Sequence, residues 1–309
     1  MSNSPPILQD FIGHLKEEGF SAFTQRGYEN DLRHFIRKFE ERNGESFSVE
    51  GVTPLDILED RAYLQDEKGL KANSVNRKLS SLSAFFRWAV ESGLIQVNPA
   101  RNIKAVRQDQ SAPRWLDKRE QFSLLRTIEK DVQLALLNYP KRWRTRQRDA
   151  SIVLTLLNTG IRLNELCALK LMDIQLSERK GKLLIRHGKG NKEREIPLNA
   201  QARIALKKWL DVRPESENQY IWIAVEAKNS KGLSNRAVQR ILARYGRKAQ
   251  IEKFTPHICR HTFAKNLVNQ GVSLEKIAML LGHSNLNTTR IYITPSQHDL
   301  ELAVEKLEI

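Results

Sequence analysis

Residues 255–292 read TPHICRHTFAKNLVNQGVSLEKIAMLLGHSNLNTTRIY, and this stretch holds more reactive side chains than any other part of the chain. The threonine–proline pair that opens it predicts a helix start, because the threonine hydroxyl can cap a free N–H group and proline suits the first helical position. We expect this helix to run to Gly271. A second helix should begin at Ser273 and end at Gly282.

Three cationic or titratable side chains fall near one face of the first of these helices. His257, Arg260 and His261 are spaced i, i+3 and i+4, at the helix end where free N–H groups and the helix dipole favour an anion. His283 follows the second helix directly, and Tyr292 comes nine residues later. The pattern indicates phosphate chemistry with a tyrosine beside a cationic cluster.

A blander interpretation and a metal site compete with this one. Taken singly, such residues are more often capping, surface or core positions than catalysts. A metal site could use His257, Cys259, His261 and His283. It is disfavoured because Arg260 would place a fixed charge beside the ion, and no acidic residue accompanies the histidines as in HExxH. No P-loop and no carboxylate cluster for magnesium is evident, so we expect neither a metal nor a cofactor.

Composition points to a polyanionic partner. The chain has 309 residues and a formal net charge of +15. Nucleic acid is favoured over membrane, because no apolar run of about 18 residues occurs and the N-terminus does not resemble a signal peptide. Only Cys167 and Cys259 are present, both within predicted helices. A disulfide framework is therefore not expected, and we predict a soluble, cytoplasmic protein.

Helical spacing organises the first hundred residues. Four amphipathic helices are predicted. Apolar stripes indicate the first over Ile7–Leu15, the second from Thr24 and the fourth over about 72–91, and Thr53 followed by Pro54 indicates the start of the third. On the fourth, Arg77 and Lys78 are expected outside, as part of a solvated face or along a DNA backbone. The predicted domains are a helical DNA-binding domain at 1–107 and a second domain at 113–309, joined by a linker at 108–112.

The second half adds a small β-sheet to further helices. Residues 182–187 and 193–198 are the clearest strand pair, with Lys189 in the turn between them. Helices are expected at 199–211 and from Ser234. The predicted fold class is therefore mainly α with a small β-sheet.

Two basic segments are candidate DNA contacts. Residues 139–148, YPKRWRTRQR, place Arg142 and Arg144 around a tryptophan, and a solvated basic loop is an equally good interpretation. The helix from Ser234 is expected to turn cations outward along DNA, with a major groove as one candidate location and a solvated face as the alternative. Those we assign to DNA contact are Arg236, Arg240 and Arg244.

The motifs HxxRH, LGHSN and the following tyrosine, with TGIRLNEL at 159–166, closely resemble the tyrosine recombinase (phage integrase) family. The likeness is to its Xer-type and transposon-encoded members. By itself, Arg162 would be a surface residue paired with Glu165. The resemblance implies instead that Arg162 holds a phosphate, that Glu165 supports it, and that Lys189 is the catalytic lysine of the family's hairpin turn.

The same resemblance implies a reaction. Tyr292 would attack a DNA phosphodiester while Arg162 and Arg260 stabilise its non-bridging oxygens. Lys189 would give a proton to the leaving 5′ oxygen, and His257 would take the proton of the phenol. His283 would hydrogen-bond the phosphate, and His261 would be a supporting residue. The 3′-phosphotyrosine product keeps a phosphodiester, so a strand can be resealed without ATP.

The predicted function is a site-specific DNA recombinase, with a non-catalytic synapsis protein or a type IB topoisomerase as alternatives. Ser296 and Asp299 predict the start of a last helix whose apolar stripe includes Val304 and Leu307. That stripe needs a groove on its own domain or, as the resemblance implies, on the next protomer of a tetramer assembled on duplex DNA.

Overall fold

The computed structural model describes residues 5–107, 113–139, 142–186, 193–225, 232–283, 285–292 and 304–305. The chain divides into two compact units, Met1–Gln110 and Ser111–Ile309, which we call the N-terminal and the C-terminal unit. The linker predicted at 108–112 lies outside the described residues.

The N-terminal unit is helical. Its helices are α1 (Pro6–Glu17), α2 (Ala22–Asn43), α3 (Pro54–Ala62) and α4 (Ala72–Glu91), and a π-helical turn, Tyr63–Glu67, extends α3. Helix α2 begins before the predicted Thr24, because the Ser21 hydroxyl accepts a hydrogen bond from the Thr24 N–H at 3.2 Å and caps the helix. Thr53 caps α3 in a capping box with Asp56.

Aromatic side chains fill the core of the N-terminal unit. Phe11 and Phe85 meet edge to face with ring centroids 5.3 Å apart, and Phe85 meets Phe86 at 5.1 Å. All three rings are fully buried. The apolar stripes predicted from helical spacing thus converge on one aromatic cluster.

The C-terminal unit combines helices with a small sheet. Its described helices are α5 (Lys118–Asn138), α6 (Trp143–Thr159), α7 (Leu163–Ala168), α8 (Ala200–Leu210), α9 (Asn235–Ala249), α10 (Pro256–Asn269), α11 (Leu274–Leu281) and α12 (Asn287–Arg290). The core surrounds α6, where Ile152, Val153 and Leu156 are completely buried in the same hydrophobic cluster as the Trp209 and Tyr245 rings. The predicted mainly helical fold class with a small sheet is confirmed.

The sheet has three antiparallel strands in the order β1 (Ile174–Leu176), β2 (Gly181–Ile185) and β3 (Arg194–Pro197). Strands β2 and β3 confirm the predicted pair, with Leu183 opposite Ile196. Strand β1, which the sequence did not predict, is only three residues long and pairs through Ile174 with Leu183. The turn that holds Lys189 lies outside the described residues.

The last predicted helix is only partly described. Val304 and Glu305 are helical and exposed, and the rest of 293–309 lies outside the described residues. Docking of this segment therefore stays a prediction. Within the described parts of the chain, no helix is long and apolar enough to cross a membrane.

Candidate active site

A tight turn between α6 and α7 positions Arg162. Gly160 caps the C-terminal end of α6 with a φ of 62°, which favours glycine, and a Cβ atom there would come within 2.5 Å of the Phe263 ring. Arg162 then occupies the N-cap of α7, and its backbone N–H donates to Glu165 Oε2 at 2.8 Å. Its guanidinium donates from Nη1 to Glu165 Oε1 at 3.0 Å. The predicted pairing of Arg162 with Glu165 is present.

Arg260 is a buried cation on the first turns of α10. The Thr255 hydroxyl caps this helix by accepting from the Ile258 N–H at 3.3 Å. The Arg260 side chain donates to the Gly160 carbonyl at 2.8 Å, and the residue is only 6% exposed. Burial, followed by the charge of Arg162, lowers the pKa of Arg260 to about 10, so it remains protonated at neutral pH.

The Glu165 carboxylate joins two arginines. Besides its bonds from Arg162, each of its oxygens accepts a hydrogen bond from the guanidinium of Arg194 in β3, at 3.0 Å and 2.7 Å. Burial acts to raise the pKa of Glu165, but hydrogen bonds from Arg194 and Arg162 outweigh it and hold that pKa below the usual value. Sequence reasoning missed Arg194. Its only local signal is a basic residue in a strand whose neighbours are also charged.

Tyr292 follows α12 and is buried beside His261. Its hydroxyl lies 2.8 Å from His261 Nδ1, and the residue is 1% exposed. Burial raises the pKa of the Tyr292 phenol, while the charges of Arg260 and Arg162 act to lower it. The phenol is therefore protonated at neutral pH. The two guanidinium groups offset part of the effect of burial, because their charges stabilise the phenolate form.

His261, and not His257, contacts the phenol. The spacing of HxxRH places both rings near one face, and their centroids are 6.4 Å apart. His257 is exposed and lines the adjoining cleft. The expectation that His257 takes the phenol proton therefore differs from the described geometry, because Tyr292 packs one helical turn further along α10.

Two neutral imidazoles complete the cluster. Burial, followed by the charges of Arg260 and Arg162, lowers the pKa of His283 to about 4. Its Nδ1 lies 2.8 Å from the hydroxyl of buried Thr289 on α12. Burial, with smaller contributions from His257 and Arg260, also lowers the pKa of His261 to about 4. A neutral ring with one nitrogen occupied can still offer its other nitrogen to a phosphate oxygen or a phenol proton.

An open cleft of about 800 Å³ lies beside this cluster. Arg162, His257 and Arg260 line it together with Gln239 and Arg247 of α9. The fixed cations Arg162, Arg247 and Arg260, which line this cleft, suit a phosphodiester backbone. Among the described residues, no three His, Cys, Asp or Glu side chains are arranged to bind a metal ion.

The predicted DNA contacts on α9 are not alike. Arg236 and Arg240 are exposed, as expected. Arg244 is instead half-buried and donates to Asp149 Oδ2 at 2.7 Å. The prediction that Arg244 faces outward was wrong, because its guanidinium turns inward to pair with the buried Asp149 carboxylate, which Arg148 also contacts.

Of the other four residues predicted to contact DNA, three are exposed and one is largely covered. Arg77 and Lys78 both pair with the buried Asp31, and Lys78 is largely covered while Arg77 stays exposed. Lys78 was therefore wrongly expected on the outside. Arg142 and Arg144 are exposed, and the Arg144 guanidinium lies 5.6 Å from the centre of the Trp143 ring.

Family comparisons cover nearly all of the chain. Residues 126–298 match the phage integrase family, and residues 8–93 match the N-terminal SAM-like domain of phage integrases. Tyrosine recombinase XerC of Thermodesulfovibrio yellowstonii is 35% identical over 94% of this chain and 92% of its own length. Tyrosine recombinase XerA of Pyrococcus furiosus is 34% identical over 98% of this chain and 94% of its own length.

Solved structures share the fold. The XerH site-specific recombinase bound to palindromic difH substrate has a TM-score of 0.75 at 23% identity, over 98% of this chain and 84% of that one. The Tn1549 transposon integrase in complex with transposon right end DNA has a TM-score of 0.72 at 21% identity, over 98% and 99%. At these identities the likeness concerns the fold alone.

Proposed function

Because this chain belongs to the phage integrase family, the tyrosine recombinases, we propose that it cuts and rejoins DNA at specific sites through a phosphotyrosyl bond at Tyr292. The observation that carries the assignment of Tyr292 is its 2.8 Å contact with His261 within reach of the charges of Arg162 and Arg260. A protein that only binds DNA has no need of a phenol in such a place.

Arg162 and Arg260 are proposed to hold the scissile phosphate. A guanidinium stays protonated and can contact two oxygens at once, so the pair can balance the charge that grows on the non-bridging oxygens during attack. We call these two residues the phosphate clamp. His283 has a neutral ring beside them and can donate a hydrogen bond to the same phosphate.

The proton of the phenol passes to a neutral imidazole in this proposal. His261 already lies at hydrogen-bond distance, and with its proton on Nε2 it can accept from the Tyr292 hydroxyl at Nδ1. The phenol oxygen then bonds to phosphorus as the bond to the 5′ oxygen breaks. Lys189, whose turn lies outside the described residues, is proposed to give a proton to that leaving oxygen.

Rejoining reverses these steps with a different strand. A free 5′ hydroxyl attacks the 3′-phosphotyrosyl bond, phosphorus returns to a DNA oxygen, and the phenol regains its proton. One phosphorus–oxygen bond forms for each that breaks, so no ATP is required.

Assembly on DNA is proposed to uncover the nucleophile. Tyr292 is 1% exposed and packs with Ala264, Ile277 and Leu281, so a duplex cannot reach it without movement of the α12 region. The predicted docking helix begins a few residues beyond Tyr292. If that helix docks on the next protomer of a tetramer, assembly acts directly on the segment that carries the phenol.

The two units are proposed to divide DNA binding between them. The N-terminal unit would bind core DNA, as its match to the SAM-like domain suggests. In the C-terminal unit, the exposed arginines at α9 and at the start of α6 would contact phosphates or bases. They are Arg236 and Arg240 of α9, Arg144 of α6, and Arg142 directly before α6. We place this activity in the cytoplasm, together with the DNA on which it acts.

The test is a search for covalent adducts on nicked duplexes tiled across the native locus of the gene. We expect a denaturation-resistant protein–DNA adduct with the unaltered chain and none with Tyr292→Phe. Tyr245→Phe is the matched control, because it also removes a buried phenol hydroxyl with a hydrogen bond, at 3.1 Å to Asp131, and should still form the adduct. An adduct that survives Tyr292→Phe contradicts the assignment.

A type IB topoisomerase is the alternative with the same nucleophile. It would relax supercoiled plasmid that carries no recombination site, whereas a site-specific recombinase should leave such a plasmid unchanged. Efficient relaxation of that plasmid would favour the alternative.

A further inference from the structure

Three consecutive carbonyl oxygens at the end of α11 each accept a hydrogen bond from a different arginine. The pairs are Leu280 O with Arg194 Nε at 3.1 Å, Leu281 O with Arg260 Nη2 at 2.7 Å, and Gly282 O with Arg162 Nη2 at 3.0 Å. The last carbonyls of a helix lack partners within the helix and carry partial negative charge, so cations are stabilised there. The end of α11 thus holds both arginines of the phosphate clamp and one arginine that is not part of it.

Arg194 uses all three guanidinium nitrogens inside the protein. Nε contacts the Leu280 carbonyl, and Nη1 and Nη2 contact the two oxygens of Glu165. Its side chain is 12% exposed. With its donors directed inward, Arg194 holds protein groups in place and is not aimed at DNA.

Arg194 also fixes the orientation in which the Glu165 carboxylate accepts hydrogen bonds from Arg162. Its two parallel bonds fix the plane of the carboxylate. In that plane, Glu165 Oε2 accepts the Arg162 backbone N–H while Oε1 accepts Arg162 Nη1. Without Arg194, Glu165 would be free to turn and pair bidentately with Arg162, which would draw that guanidinium away from a phosphate.

Gly282 leaves the space that this arrangement needs. A Cβ atom at Gly282 would come within 2.9 Å of the Arg194 guanidinium, and the residue has a φ of 64°. His283 follows it directly. Arg194 therefore ties β3 to the point where α11 ends and the segment leading to His283 and Tyr292 begins.

We infer that Arg194 is a positioning residue for recombination, which orients Arg162 through Glu165 and holds the end of α11 against the phosphate clamp. The inference rests on the proposed function, since it requires that the clamp bind the scissile phosphate. It predicts that loss of Arg194 impairs attack on a charged phosphate and not DNA binding.

The test compares two substrates for each variant. Both are the nicked duplex that gives the adduct, one with a normal scissile phosphate and one with a methylphosphonate, in which a methyl group replaces a charged non-bridging oxygen. Rates of adduct formation are measured in a single turnover at saturating protein, and duplex affinity is measured separately. The variants are Arg194→Gln, Arg194→Lys and the control Arg213→Gln.

Arg213 is the matched control because it is also a half-buried arginine of the C-terminal unit that donates to backbone carbonyls, among them Ile221 O at 3.2 Å and Tyr220 O at 2.9 Å. Those contacts lie outside the clamp. Any loss in Arg213→Gln should therefore be the same on both substrates.

For Arg194→Gln we expect adduct formation on the normal phosphate to slow by about 10- to 100-fold, as for a small misplacement of a catalytic group. Affinity should change by less than about 3-fold. On the methylphosphonate the loss should shrink to a few-fold, because less charge needs the clamp. Arg194→Lys should fall in between, since an ammonium keeps the charge but cannot make the two parallel bonds.

Three results separate the possibilities. Normal rates with Arg194→Gln would overturn the inference, and so would an equal loss on both substrates, which would indicate a folding defect. If Arg194→Gln does not fold, Arg194→Lys decides by the same comparison. If the unaltered chain forms no adduct with any duplex, the proposed function itself fails and the inference with it.

Discussion

Two buried carboxylates, one in each unit, have similar partners but different surroundings. Asp31 in the N-terminal unit accepts hydrogen bonds from Arg77, Lys78 and the Ser81 hydroxyl. Glu165 in the C-terminal unit forms ion pairs with Arg162 and Arg194. In both places one acid, at most 4% exposed at its side chain, meets two cations.

The difference lies in where the excess positive charge goes. Around Asp31, the Arg77 side chain is 56% exposed, so water solvates the surplus. Around Glu165 the side chains of Arg162 and Arg194 are 33% and 12% exposed. A third guanidinium, that of Arg260, is buried, and the charge of Arg162 contributes to its lowered pKa. Carbonyl groups hold these cations in place but do not neutralise them. A buried ion pair is thus ordinary structure, whereas buried cations in excess, facing a cleft, indicate an anion site.

The largest expected effect is on the rate of adduct formation, which should depend on the arginines near Glu165 and not on those near Asp31. Arg260→Gln should slow single-turnover adduct formation by about 100- to 1,000-fold, the usual loss for one donor that stabilises transition-state charge. Arg77→Gln should leave that rate within about 2-fold at saturating protein, because Arg77 serves Asp31. Thermal unfolding of both variants checks that they fold. Equal losses in the two variants would remove the distinction drawn between the clusters.

Neutralising each carboxylate sharpens the comparison. Glu165→Gln leaves three guanidinium groups without a buried negative charge, so we expect a loss of about 3 to 5 kcal/mol in the free energy of unfolding. Asp31→Asn should cost about 1 to 3 kcal/mol, because Arg77 can turn to water. Urea unfolding measures both. Added sulfate should restore Glu165→Gln more than Asp31→Asn, and a reversed order would count against an excess of charge at the clamp.

One titratable group in each unit, His283 and Asp60, should contribute to the pH dependence of stability with opposite signs. Burial lowers the pKa of His283 to about 4. Between pH 6.5 and 4 the unfolded chain therefore binds the extra proton, and stability falls as the pH falls. Burial raises the pKa of Asp60, in the N-terminal unit, to about 6. Between its usual value and pH 6 the folded chain binds the extra proton, so stability falls as the pH rises.

Urea midpoints between pH 7 and 5 test these signs. Asp60→Asn should make the loss on acidification steeper, and His283→Gln should make it shallower. Each change should be on the order of 1 kcal/mol, reduced for the half-buried His283 by solvent screening. An unchanged slope in Asp60→Asn would show that this carboxyl titrates normally in the folded chain.

Local signals predicted much of this molecule. Apolar spacing located α1, α2 and α4, and Thr53 with Pro54 located the start of α3. Ser273 and Gly282 bound α11 as expected. The resemblance of TGIRLNEL and HxxRH to family motifs pointed to Arg162 and Arg260, which the fold brings to the same helix end.

What the sequence missed depends on distant contacts. Arg194 stands between two glutamates in β3, and only the approach of Glu165 and Leu280 distinguishes it from a surface residue. His257 and His261 share a face, so spacing alone cannot say which one reaches Tyr292. Arg244 follows the same helical period as Arg240 but meets Asp149, 95 residues earlier. In each case a tertiary partner overrides the local pattern.

Identifying the residue that carries DNA tests the central claim most directly. The adduct is trimmed with nuclease, digested with trypsin and sequenced by mass spectrometry. The account predicts a nucleotide bonded through its 3′ phosphate to Tyr292, in the tryptic peptide 291–306, which contains no other tyrosine. A nucleotide on any other side chain, or one joined through a 5′ phosphate, would contradict it.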